Sequence, residues 1–222
     1  MDHNRSPIKP TRDPYDALRP WSAITHGIGI LLAVVGTALL LMRARSTLQF
    51  IAYGIYGASM TVLYTASTLY HCLRTDLAGR RLLRKFDHCS ICLLIAGSYT
   101  PICLISLATG CGHALLAAVW TFALLGILLS ILWIGAPRWL SSAVYLCMGW
   151  LVVFVIVPVV RSLSPQGLFW LVLGGVMYSV GGVLYAVKWP GRNNPRFGCH
   201  EIFHVFILLG TVFQYFAIYG LV

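Results

Sequence analysis

Cys199–Val222 reads CHEIFHVFILLGTVFQYFAIYGLV. After Glu201 this stretch carries no charged side chain, and as a helix rising 1.5 Å per residue it is about 36 Å long. That is enough to cross roughly 30 Å of hydrocarbon. Runs of the same kind recur near Trp21–Met42, Leu48–Tyr70, His88–Ala108, His113–Ile134, Leu140–Val160 and Leu168–Val187. With 59% hydrophobic residues against 10% charged in 222 residues, the chain cannot cover itself with a polar surface. The expected fold is all-α, a polytopic membrane protein built as a seven-transmembrane helix bundle. Lipid forces every backbone polar group in a span to be bonded within the protein, which only helices or closed barrels achieve.

Two regions follow: a polar tail at 1–20 and a single seven-helix membrane domain at 21–222. The tail MDHNRSPIKPTRDPYDALRP lacks the pattern of a cleavable signal, so the first span is expected to stay in the protein. Cation placement predicts orientation. Arg5, Lys9, Arg12 and Arg19 lie in the tail, Arg74, Arg80, Arg81, Arg84 and Lys85 after the second span, Arg138 after the fourth, and Lys188, Arg192 and Arg196 before the last. Arg43, Arg45 and Arg161 stand alone on the other side. Positive residues favour the cytoplasm, so the N-terminus is expected inside and the C-terminus outside. The formal charge of +10 is then topology and headgroup attraction rather than a nucleic-acid partner.

On that orientation three span ends deliver chemistry to one depth. His71 ends the second span with Ser67 one turn deeper on the same face, Asp87 opens the third, and His200 and His204 open the seventh at i and i+4. A carboxylate at that depth is costly unless paired, solvated or near a metal, which favours clustering. Three histidines with one open position compose the usual catalytic zinc site, where the pKa of a bound water falls to about 7. His71, His200 and His204 are therefore candidate zinc ligands.

His200-Glu201-Ile202-Phe203-His204 also fits the H-E-x-x-H spacing of zinc proteases. Such a helix needs a third ligand, and the eighteen residues after His204 include no Asp, Glu or His. The remaining ligand is expected upstream. Glu201 lies about 100° around the helix from His200, so it can turn toward the metal or toward the basic loop.

Taken together, Ser67-x-x-x-His71 (STLYH), Asp87 in FDHCSICLLIAGSYTP and His200-x-x-x-His204 (HEIFHV) resemble, in order and topology, the three motifs of the hemolysin III and progestin–adiponectin receptor superfamily. The likeness covers all seven spans and the tail, and is strongest to the bacterial hemolysin III branch. It implies zinc held by His71, His200 and His204, with Asp87 and Ser67 close to the water, in a multi-pass protein of the bacterial cytoplasmic (inner) membrane. It also suggests kinship with alkaline ceramidases, zinc amidases acting on membrane lipid. The family often carries an asparagine four residues before a histidine in the first span. Here Ser22 precedes His26, which reads as a packing or hydrogen-bonding element.

Two classes of function emerge. In one, zinc supports hydrolysis of a membrane-lipid amide or ester or wider lipid homeostasis, with Asp87 taking or orienting a proton and Ser67 bonding the water or oxyanion. In the other, zinc is structural in a membrane sensor or a cytolytic pore, although no span shows a polar stripe to line a channel. Gly174, Gly175, Gly181 and Gly182 are expected to admit a neighbouring helix. Pro101 and Pro158 are expected to kink the third and fifth spans and open a cavity.

Overall fold

The computed structural model describes residues 18–108, 110–191, 194 and 197–221. Most of the tail at 1–20, including Arg5, Lys9 and Arg12, falls outside these, as do Arg192 and Arg196.

The described residues form helices and no strand. They are α1 (Pro20–Arg43), α2 (Thr47–Cys72), α3 (Leu77–Pro101), α4 (Gly110–Leu132), α5 (Arg138–Gly149), α6 (Ile156–Ser162), α7 (Pro165–Val187) and α8 (Cys199–Tyr219). Six helical stretches are long and apolar enough to cross a membrane, with α3 extended to Ser106 and α5–α6 read as one rod from Arg138 to Ser162. The chain is a multi-pass membrane protein. Its outer faces are apolar, Leu31 being 69% and Phe154 85% exposed, as lipid contact requires.

The expected second span at Leu48–Tyr70 is the 26-residue helix α2, but α2 is not among those six. Its interior face carries Tyr53, Tyr56, Ser59, Tyr64, Ser67, Tyr70 and His71, all buried. These hydroxyls and the imidazole lower its hydropathy because they face protein. Packed between α1 and α3, α2 has less lipid-facing surface to keep apolar.

Helix ends follow local chemistry. Ser46 accepts the backbone N–H of Gln49 at 3.2 Å, Asp76 that of Gly79 at 2.9 Å, and Ser164 that of Gly167 at 3.1 Å, each satisfying an orphan donor of the first turn. The Asp76 cap starts α3 well before the apolar run at His88. Arg80, Arg81, Arg84 and Lys85 occupy its first turns, so the helix is longer than hydropathy suggests.

Packing follows chain order, α1 on α2, α2 on α3, α3 on α4, α5 and α8 on α7, and α8 back on α1, which closes the bundle. Of Gly174, Gly175, Gly181 and Gly182 in α7, three admit neighbours as expected. A Cβ on Gly174 would lie 3.1 Å from the Gly210 carbonyl of α8, one on Gly181 would lie 2.7 Å from Phe206 Cβ, and one on Gly182 would meet Leu146 of α5 at 3.4 Å. Gly175 differs: a Cβ there meets nothing within 4 Å, because it borders a cavity.

Both proline-bearing spans are irregular. Beyond Pro101 the helix widens into a π turn over Ile102–Ser106, closed by the bond from Leu107 N–H to the Ile102 carbonyl at 2.9 Å. In the fifth span the break is not at Pro158 but before it, a 3₁₀ segment over Trp150–Val155. Pro158 sits in the first turn of α6, where its missing N–H costs nothing. Tyr99 holds the break: its hydroxyl donates to the Gly149 carbonyl at 2.5 Å and accepts from Val152 N–H at 3.1 Å.

Candidate metal centre

α2 ends on His71, and α8 begins with His200 and His204 one turn apart, so the close approach of these two helix ends brings three imidazoles together. His71 and His204 are each 2% exposed. His200 Nε2 lies 3.2 Å from His71 Nε2 and 3.1 Å from His204 Nε2, and the three ligand atoms all fall within 4.8 Å of one another. One ring proton on His200 Nε2 can satisfy only one of these two contacts. Three imidazole nitrogens drawn this close are what a cation resolves, by accepting every lone pair. Tetrahedral coordination with bonds of 2.0–2.1 Å places ligand nitrogens about 3.3 Å apart, near the two separations found. The group could hold a metal ion.

The sequence-predicted neighbours converge on the same place. Ser67 and Asp87 line one cavity with His200 and His204. The Ser67 hydroxyl is buried with no hydrogen-bond partner among the described residues. Asp87 is 9% exposed, and its carboxylate lies 3.5 Å from His88 Nδ1, which donates to the Arg84 carbonyl at 3.0 Å. His88 thus flanks Asp87 and lines the cavity too. Among the described residues, His113 is part of no such group.

Glu201 does not join the cluster. One of its oxygens accepts from Arg19 Nη1 at 2.7 Å and the other from the Gly198 backbone N–H at 2.8 Å. Arg19 in turn gives its backbone N–H to the carbonyl of His71 at 3.1 Å. A residue at the mouth of α1 therefore ties the end of α2 to the start of α8, the two elements that bring the histidines. The carboxylate of the H-E-x-x-H stretch is a clamp. Removing one partner of such a largely buried pair leaves the other charge uncompensated, a cost of several kcal/mol.

His26, read from the sequence as a packing or hydrogen-bonding element, packs directly against the cluster. It is 2% exposed, its ring centroid lies 3.9 Å from that of His204, and neither ring nitrogen has a partner among the described residues. Edge-on contact with Tyr64 at 5.1 Å completes its surroundings. The depth argument applied to the other histidines would have found it, since His26 lies less than two turns into α1 on the side where His71 and His200 sit.

The cavity below the cluster has a volume of about 260 Å³. It runs between α3, the broken fifth rod, α7 and α8, with Tyr99, Trp150, Gly175 and Gln214 in its wall. Apart from the polar end at the histidines, its lining is chiefly aliphatic and aromatic. α8 turns His204, Thr211 and Gln214 inward together, a polar stripe that an end-to-end reading of hydropathy does not register.

Known proteins resemble this chain in sequence. A Hemolysin-3 homolog of Bacillus subtilis (strain 168) is 38% identical over 200 residues, covering 89% of this chain and 91% of that protein. Hemolysin-3 of Bacillus cereus is 36% identical, covering 89% and 88%. The adiponectin receptor protein of Drosophila melanogaster is 28% identical over 87% of this chain and 48% of its own length, which marks the wider superfamily. No solved structure matches. The family model described as Haemolysin-III related matches residues 19–215, and the chain belongs to that family.

Proposed function

We propose that this protein is a zinc-dependent membrane enzyme hydrolysing an amide or ester of a membrane lipid, and that this activity serves membrane-lipid homeostasis. The observation that carries the reading is the convergence of three imidazole Nε2 atoms at the polar end of an otherwise apolar cavity that Asp87 and Ser67 also line. His71, His200 and His204 hold zinc, the metal suited to neutral imidazoles with one position left open. When bound, zinc polarises a carbonyl and makes a water acidic near neutral pH.

The chain's own residues do the rest. Asp87 accepts or orients the proton of the attacking water, as a buried carboxylate within reach of the reacting atoms can. Ser67, whose hydroxyl lies beside the Asp87 carboxylate, donates to the water or to the oxygen on which negative charge develops. The aliphatic wall holds the acyl chain and excludes bulk water. The test is release of free fatty acid from amide- and ester-linked lipids by the purified protein in lipid nanodiscs, followed by mass spectrometry. Release is expected to stop on chelation and return with added zinc; release indifferent to chelator overturns the zinc reading.

The same reading takes residues 21–222 as one seven-span domain, in which α2 joins the six apolar stretches as the second span in chain order, with a tail at 1–20 and the site near the cytoplasmic face of the bacterial inner membrane. The cation asymmetry supports this orientation. A reporter fused after Val222 is expected to be active outside the cytoplasm, and one inserted between Arg80 and Lys85 inside it. The opposite pattern would move the site to the other leaflet.

A further inference from the structure

Ten residues beyond His204, about 15 Å further along α8 at 1.5 Å per residue, Gln214 faces the same cavity. It is 8% exposed, and its Oε1 is buried with no hydrogen-bond partner among the described residues. Its Nε2 makes only a long contact of 3.5 Å to the Leu171 carbonyl. Two polar groups nearby are engaged: Tyr178 and Thr211 share a bond of 2.9 Å, and Thr211 donates to the Ile207 carbonyl at 3.0 Å. The fold makes room for the unsatisfied side chain. A Cβ on Gly174 would lie 2.9 Å from Gln214 Cγ and 3.2 Å from its Cδ, so the absence of a side chain on α7 lets this amide lie at the cavity wall.

A buried amide oxygen without a donor costs about 1–3 kcal/mol, and a plain hydrocarbon chain in the cavity offers it none. We propose that Gln214 is a second polar anchor, and that the cavity takes a long-chain lipid bearing a hydroxyl partway along its acyl chain, with the carbonyl end at the histidines. This rests on the reading that an acyl chain occupies the cavity. A hydroxyl fits the amide because it donates to Oε1 and can also accept from Nε2. A carboxylate or phosphate would be buried among Leu168, Leu171 and Val172 without a cation, which is prohibitive. The separation of about 15 Å between the two polar ends selects a hydroxyl far from the carbonyl over one beside it.

The experiment measures binding of octadecanoate, and of octadecanoates carrying one hydroxyl at successive positions, to the purified protein in nanodiscs by displacement of a fluorescent fatty acid. One far-chain position is expected to bind about tenfold more tightly than octadecanoate. Gln214→Leu is expected to abolish that preference while binding octadecanoate at least as well. A flat series in the wild-type protein, or a preference that survives Gln214→Leu, overturns the anchor and leaves the hydrolysis reading standing. Failure of octadecanoate itself to bind overturns the anchor together with the acyl-chain occupancy it rests on. Should Gln214→Leu not fold, Gln214→Asn, which retracts the amide by one methylene, is expected to weaken the preference, and the wild-type series decides by itself.

Discussion

Alanine at His71, His200 or His204 is expected to strip the protein of metal. Purified wild-type protein should carry about one zinc per chain, the stoichiometry of a single three-histidine site, and each single variant less than about a tenth of that. Each histidine supplies one of three nitrogens, and two separations, 3.1 and 3.2 Å, are near those of a tetrahedral donor set, so removing one leaves a two-donor site of far lower affinity. No other group of three potential ligands this close occurs among the described residues. His113→Ala, at the start of α4 and outside the cluster, should keep full occupancy. A second readout comes from linkage. A ligand bound only to the folded state at a hundred times its dissociation constant adds about 2.7 kcal/mol, so chelation should lower the melting temperature of the wild type and leave that of the triple histidine variant unchanged. Stoichiometric zinc retained by the triple variant would sink the site.

The cluster was legible in the sequence where local geometry determines it. His200 and His204 share a face because they are four residues apart in a helix, and His71 joins them because span counting puts the ends of α2 and α8 on one side. What was not legible depends on long-range contacts. Glu201 looks like a protease base until Arg19, 182 residues away, takes one of its oxygens. His26 reads as a packing or hydrogen-bonding element, and that it packs on the histidine cluster emerges only when α1 meets α8. The fifth span reads as one apolar run from Leu140 to Val160 kinked at Pro158, and its break lies earlier, in a 3₁₀ segment tied to a hydroxyl that Tyr99 brings from α3. Hydropathy also underrates α2, because it counts inward-facing hydroxyls as if they met lipid. The inward face of α8 stays hidden for the opposite reason: two polar residues, Thr211 and Gln214, are diluted by aliphatic neighbours that face elsewhere.

Asp87→Asn is expected to separate an enzyme from a zinc-stapled sensor or pore. The amide is nearly isosteric with the carboxylate, and Asp87 is not one of the three nitrogen donors, so zinc content and melting temperature should stay close to wild type. If the site only clamps helices, this variant should support full function in cells that lack the native protein. If a water must be deprotonated there, the substitution removes the group that takes or orients the proton. Loss of a general base costs about a hundredfold or more, which should appear in the turnover rate with little change in KM. Ser67→Ala should show a milder version, since it deletes one donor to the developing charge and leaves the base in place. Glu201→Gln is the matched control. Its amide can still accept from Gly198, and Glu201 makes its contacts in the clamp rather than in the cavity, so its turnover should fall far less than that of Asp87→Asn even if its stability drops. Equal losses in the two variants would place the base on the wrong carboxylate. Full activity in zinc-loaded Asp87→Asn would rule against hydrolysis, because nothing else among the titratable groups lining the cavity is a buried carboxylate.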